Sequence, residues 1–211
     1  MTPRSRSDAP PLDPQVHELH RHPISPTGSD VAVTASVQCP AQLQSEPVPN
    51  WLSLRFVLQG QIRTLRIPPQ APAEACDGLW QHTCAELFVR TAGGAAYQEF
   101  NFSPSGQWAA YRFSSERQRD TEAETRHPAC APLIEVQATG DTLTMHIRLP
   151  IQNLSPNTGT ETLRLGLNMV TEHADGSLAY WALQHPRLDR PDFHHRDGCI
   201  LPMRWPASVT P

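Results

Sequence analysis

Apolar and polar residues alternate with a period of two along most of the chain from Val31 onward. In WLSLRFVLQG, Leu52, Leu54, Phe56 and Leu58 fall on one side. In TLTMHIRL, Leu143, Met145, Ile147 and Leu149 alternate with Thr144, His146 and Arg148, and LRLGLNM repeats the device with Leu163, Leu165, Leu167 and Met169. A strand turns successive side chains to opposite faces, so these segments read as half-buried antiparallel strands. Gly60 is expected to turn the chain into a further strand, QIRTLRI. VAVTASVQ, CAELFVR, YQEFNF, QWAAYRF, LIEVQA, LAYWAL and CILPM add more, separated by turn signals such as GG, SPSG and ATGD. Roughly ten or eleven closely spaced strands predict an all-β antiparallel sandwich of the jelly-roll kind. One helical window, residues 116–126, is polar on every side and reads equally well as a connecting loop.

A chain of 211 residues suits one large domain, expected over 29–205. Residues 1–28 are rich in Pro, Ser, Asp and His and are expected to form a flexible segment, with order beginning near Val31. The net charge of −4 comes without a block of like charge, which argues against a nucleic-acid partner or an anionic membrane surface. All 17 basic residues are arginine, so lysine Schiff-base chemistry and a P-loop are excluded. The N-terminus has no apolar leader core and no stretch reaches the length of a membrane span, so a cytoplasmic chain is expected. The 5 cysteines are odd in number, widely spaced and without C-x-x-C, which points to reduced core residues rather than disulfides or a zinc site; no cofactor is expected.

The segment YQEFNFSPSGQWAAYRF carries the most chemistry. Ser103-Pro104-Ser105-Gly106 follows type I turn preferences and lacks the G-x-S-x-G of a nucleophile elbow, so it reads as a hairpin tip. If those four residues form the loop, Phe102 lies opposite Gln107. Phe100, Phe102, Ala109 and Tyr111 then face the core, and Tyr97, Glu99, Asn101, Trp108 and Arg112 share the other face. A tryptophan opposite an asparagine, flanked by a tyrosine, a carboxylate and a guanidinium, can stack on a sugar ring and hydrogen-bond its hydroxyls. The same pattern also fits a second packed face with satisfied polar groups.

Three segments, DGLWQHTCAELFV (77–89), YQEFNFSPSGQWAAYRF (97–113) and LAYWALQHPRLDRPDFHH (178–195), resemble the bacterial DOMON-like proteins. That group is related to the β-sandwich of the family-nine carbohydrate-binding modules. The resemblance covers about residues 20–203 and implies a sandwich with a ligand-binding face, whose ligand in the wider superfamily is a sugar or a haem. The matching positions are Trp80, His82, Thr83 and Glu86; Asn101, Ser103 and Trp108; and Tyr180, Trp181, His185, Asp192, Phe193 and His194. Ala85 departs from the bulkier aromatic expected there.

The resulting expectation is a non-catalytic domain that binds a small polar ligand, a saccharide or sugar-containing metabolite. Trp80, Trp108 and Trp181 would stack on it, and Glu86, Asn101, Arg112 and His185 would hydrogen-bond it, with Asp192 and His194 at the rim of the site. For each tryptophan alone, a place in the core competes with that role. The rival is a protein-interaction module, or a homo-oligomer, that uses an exposed aromatic strand face. A haem held by Met145 or Met169 with His185 is disfavoured because core packing accounts for both methionines. Metal ligation has no H-E-x-x-H spacing behind it, although His82, Cys84 and Glu86 would share a face on a regular strand. Adjacent His194 and His195 point to opposite faces of an extended segment. A Ser103, His185, Asp192 triad has no support in spacing, and the catalytic alternative is His82 with Glu86 as acid and base.

Overall fold

The strand pairings of the computed structural model, which describes residues 15–26, 31–39, 50–154 and 162–204, are antiparallel throughout. In chain order the strands are β1 (Val16–Arg21), β2 (Val31–Gln38), β3 (Trp51–Gly60), β4 (Cys84–Thr91), β5 (Tyr97–Phe102) and β6 (Trp108–Ser115). They continue with β7 (Gln118–Arg119), β8 (Leu133–Thr139), β9 (Thr142–Pro150), β10 (Thr162–Glu172), β11 (Leu178–Ala182) and β12 (Leu201–Arg204). One helix, α1 (Thr121–Arg126), lies between β7 and β8, with the side chain of Asp120 capping its first turn. No helix among the described residues is long and apolar enough to cross a membrane.

The strands run in the order β7-β6-β5-β4-β10-β11-β1-β2-β3-β9-β8, and β12 pairs with β10. β1 is the seam: its C-terminal end pairs with β11 and the rest pairs with β2, so one strand joins the two layers. The layer of β2, β3, β8 and β9 packs its apolar face on that of β4, β5, β10 and β11, forming the main core. The registers match the alternation: Leu52 pairs with Leu149, Leu54 with Ile147, Phe56 with Met145 and Leu58 with Leu143. All eight are buried.

The opposite face of β4, β5 and β6 is also buried. Cys84, Phe88, Tyr97, Ala109, Tyr111 and Phe113 form a second core with Leu79 and Cys199, which come from the β3–β4 and β11–β12 connections. β4 is therefore covered on both sides from Cys84 to Arg90.

Four expectations change. β1 lies inside the segment expected to be flexible. Its alternation is weak because a single residue, Leu19, is buried, and the pairing with two other strands supplies the order that composition concealed. Residues 1–14 and 27–28 of that segment lie outside the described residues. QIRTLRI is not a strand: β3 runs through Gly60, and Ile62–Thr64 form a 3-10 turn. The polar helical window divides into β7 and the short α1.

The hairpin forms, but with Phe102 opposite Trp108 rather than Gln107. Its loop is five residues long, Ser103 to Gln107, closed by Ser103 N–H donating to the Gln107 carbonyl at 2.9 Å and Gly106 N–H to the Ser103 carbonyl at 3.0 Å. A register slip of one residue moves every side chain to the other face. Trp108 and Arg112 consequently join the Phe102 side, and Ala109, Tyr111 and Phe113 join Glu99 and Asn101. Gly106 sits at φ 94°, where a Cβ is strained although the nearest obstacle, the Ala71 carbonyl, is 3.7 Å away. Gly106→Ala is expected to lower stability by about 1–2 kcal/mol, readable in urea unfolding, while the strands keep their register.

Candidate functional site

On that second face, the two connections that cover β4 to β6 leave a cleft of about 820 Å³. The floor comes from strands. Glu86 of β4 and Glu99 of β5 present their carboxyl groups to it, although they are 3% and 5% exposed. The walls are aromatic: Phe88, Tyr111, Phe113, Tyr180 and Phe193 line it, and Trp80 stands at its edge, 50% exposed. Trp80 is carried on a 3-10 turn, Leu79–Gln81, whose Leu79 is buried in the second core, so the backbone beneath the ring is anchored.

The acidic floor is a product of burial. Asn101 pairs with Glu86 across the strands and is itself fully buried; its Nδ2 donates to Glu99 Oε1 at 3.0 Å. Desolvation, first of all, pushes the Glu99 carboxyl up to about 7, against the lowering effects of the Asn101 hydrogen bond and of Arg117 and Arg119. Glu86 is also held well above the usual carboxylate range, by burial and then by the neighbouring charge of Glu99. Nearby groups share the effect: burial raises the Tyr180 hydroxyl and the Cys84 thiol, and Glu86 adds to both shifts.

His194 closes the far side. Tyr97 Oη accepts from Arg117 N–H at 3.0 Å, so its own proton goes to His194 Nδ1 at 2.7 Å. That leaves the ring proton on Nε2, 3.8 Å from Glu99 Oε2. Burial, followed by the charge of Arg117, brings His194 down to about 4, so the ring is neutral at pH 7. The ring also packs edge-on against Phe88, Tyr97 and Phe113.

Both guanidinium groups at the cleft already have carboxylate partners. Arg117 is bound by buried Asp192 at 2.7 Å, and Arg119 makes three hydrogen bonds to Glu124 while lying over the Tyr111 ring. Asp77 accepts from Tyr111 Oη at 2.9 Å. Among the described residues, no hydrogen bond or ion pair to the Glu86 carboxyl is formed.

Of the residues expected to bind ligand, Trp80, Glu86 and His194 line this cleft. Asn101 lies beneath it and acts on it through Glu99, and Asp192 lies behind it and positions Arg117. The others are elsewhere. Trp181 is 5% exposed within the main core, where its Nε1 donates to Thr171 Oγ1 at 3.1 Å, and this corrects the expectation that it stacks on a ligand. Trp108 and Arg112 leave the site through the hairpin register; Trp108 instead pairs its backbone with residues 74–76. His82 is tied to Glu172 at 2.7 Å beside Arg66, and Glu172 is held below its usual range first by that hydrogen bond. His185 donates from Nε2 to the His20 carbonyl and packs edge-on against His22, so it anchors the β11–β12 connection to β1. The wall residues that sequence reasoning left out, Tyr111, Phe113, Arg117 and Arg119, follow β5 in the chain, and the hairpin register is the signal that would have found the first two.

Among the described residues no group of three or more His, Cys, Asp or Glu side chains is arranged to hold a metal ion. His82, Cys84 and Glu86 do not assemble: His82 precedes β4 and turns to Glu172.

No protein-family model matches the sequence, and no curated protein matches it. Solved structures do. The chain superposes on a candidate carbohydrate-binding protein of Bacteroides uniformis with a TM-score of 0.60 at 11% identity, over 90% of this chain and 86% of that one. A family 9 carbohydrate-binding module of Caldicellulosiruptor kristjanssonii in complex with cellotriose gives 0.46 at 9% identity, over 79% of this chain and 72% of that one. The same module with glucose gives 0.46 at 9%, over 79% and 74%. At such identities the likeness concerns the fold.

Proposed function

We propose that the chain is a DOMON-like, non-catalytic domain that binds a saccharide or sugar-containing metabolite in the cleft over β4, β5 and β6. The observation that carries this reading is the pairing of a half-exposed Trp80 with a floor of buried carboxyl groups, inside a cleft of ligand size. An aromatic ring offers a platform to the apolar face of a sugar, and Glu86, Glu99, Gln81 and Asp77 offer acceptors to its hydroxyls. The fold neighbour from Bacteroides uniformis, described as a candidate carbohydrate-binding protein, supports the same reading. The rival docking surface loses its footing, since Trp108 and Arg112 do not share a face with Tyr97, Glu99 and Asn101, and two connections cover that face.

The test is titration calorimetry against a panel of monosaccharides and short oligosaccharides, with Trp80→Ala beside the parent. A sugar is expected to bind the parent, and the substitution to weaken it by about tenfold or more. Because Trp80 is half exposed, melting should move by no more than about 2 °C. Equal binding by parent and variant would take Trp80 out of the site, and no binding across the panel would remove the sugar reading.

A further inference from the structure

We infer that the ligand of this cleft carries a cationic amine seated against Glu86 and Glu99, so that an amino sugar is taken in preference to its neutral counterpart. The inference rests on the saccharide reading above and adds the chemical class of the sugar.

Glu86 is the starting point. Its side chain is 3% exposed, faces the cleft, and is without a hydrogen-bond partner among the described residues. A buried carboxylate left unpaired is expensive, and it is relieved by a donor or a cation brought to it. Among the described residues neither is bonded to it. Its cross-strand neighbours on that face are Asn101, whose Nδ2 is spent on Glu99, and Asn168. Tyr180 and Cys84 stand near enough to feel its charge, and both are neutral groups.

The cations at the rim are committed. Arg117 belongs to Asp192, Arg119 to Glu124, and His194 is neutral at pH 7 with its Nε2 proton toward Glu99. Asp77 adds a third carboxylate to the lining. The cleft therefore presents an acidic floor with no uncommitted cation among the described residues, lined also by the aromatic rings of Trp80, Tyr180 and Phe193, a ring type that attracts positive charge at its face. An ammonium group donates to carboxylates and offers no acceptor of its own, which fits that floor better than a hydroxyl.

Binding has a proton signature. Burial holds both carboxyls above their usual range, so the ligand-free pair retains protons near pH 6.5. An incoming ammonium favours the ionised pair, and the displaced carboxyl proton passes to the buffer while the amine keeps its own.

The experiment is calorimetry at pH 6.5, in two buffers of different ionisation heat, with matched probes: glucosamine and glucose, galactosamine and galactose, mannosamine and mannose, chitosan trimer and cellotriose. In at least one pair the amino member should bind about tenfold tighter or more and release protons, and Glu86→Gln should bring the two members together and reduce the proton release. Equal affinities within every pair that binds would overturn the amine and leave the saccharide reading standing. Absence of binding by all eight probes would overturn both. Circular dichroism of Glu86→Gln separates a lost preference from a lost fold.

Discussion

Raising the pH from 6 to 8 should lower the melting temperature of the ligand-free protein by roughly 5–10 °C, and Glu99→Gln should remove much of that loss. The direction follows from which state holds the protons. Glu99 titrates near 7 in the folded protein, whereas an unfolded glutamate titrates near ~4.3, so the folded state binds more protons between those values. Its contribution is fully present below the unfolded value and is lost as pH rises through the folded one, a full swing of roughly 4 kcal/mol. Glu86, also raised by burial and by the neighbouring charge of Glu99, adds to the loss.

His194 works the other way. Its folded value near 4 lies below an unfolded value near ~6.5, so its contribution is complete above the latter and is lost as pH falls toward the former. Between about pH 4.5 and 6.5 the slope of His194 offsets that of Glu99 and leaves that of Glu86, so the decline steepens above that window. His194→Gln should remove that offset, so that melting temperature falls more steeply than in the parent between about pH 4.5 and 6.5. Differential scanning calorimetry at half-unit steps reads all three proteins. A parent whose melting temperature is level from pH 6 to 8 would show that the carboxyl pair is not held in its neutral form.

Trp181→Ala is expected to cost about 3–5 kcal/mol, since it empties a large side chain from the contact between the layers and leaves Thr171 without its indole donor. Melting should drop by roughly 10 °C or more, while the affinity of the remaining folded protein for a ligand of the cleft stays within about twofold. The contrast with Trp80→Ala is the informative part: one tryptophan should move stability and the other binding. If Trp181→Ala instead abolished binding with no change in urea midpoint, the assignment of Trp181 to the core would be untenable.

Most strands were readable because alternation is a direct image of one buried face, whereas their order was not. Leu52 to Leu58 and Leu143 to Leu149 each show it, and the two segments are neighbours in the sheet. β1 was not readable, because Leu19 alone among Val16–Arg21 is buried and the signal drowned in the surrounding prolines and histidines. The site was readable in part. Glu86 declares itself through a carboxylate inside an otherwise apolar run, and Glu99 and Asn101 fall on one face by simple parity. Parity failed across the turn: a loop of five residues instead of four exchanged Trp108 for Tyr111 and brought Phe113 into the wall. Arg117, Arg119 and Tyr180 join through pairings that no local pattern announces. The two-sided burial of β4 is what makes this face resemble a second core and conceals a cleft within it.

The seam strand also has a meaning in time. β1 is synthesised well before the partners of its C-terminal end: His20 and Arg21 meet Ala182 and Trp181, and the His22 ring bonds the Arg187 carbonyl 165 residues away. On a ribosome adding roughly 5–20 residues per second, about 10–30 s pass between the appearance of the two halves of this joint. The earlier layer can zip β1 to β2 in that interval, but the edge awaiting β11 stays open for the whole of it. Sandwich closure is thus a late, long-range event in synthesis, and the open edge is where a nascent chain of this protein is most exposed to pairing with the wrong strand.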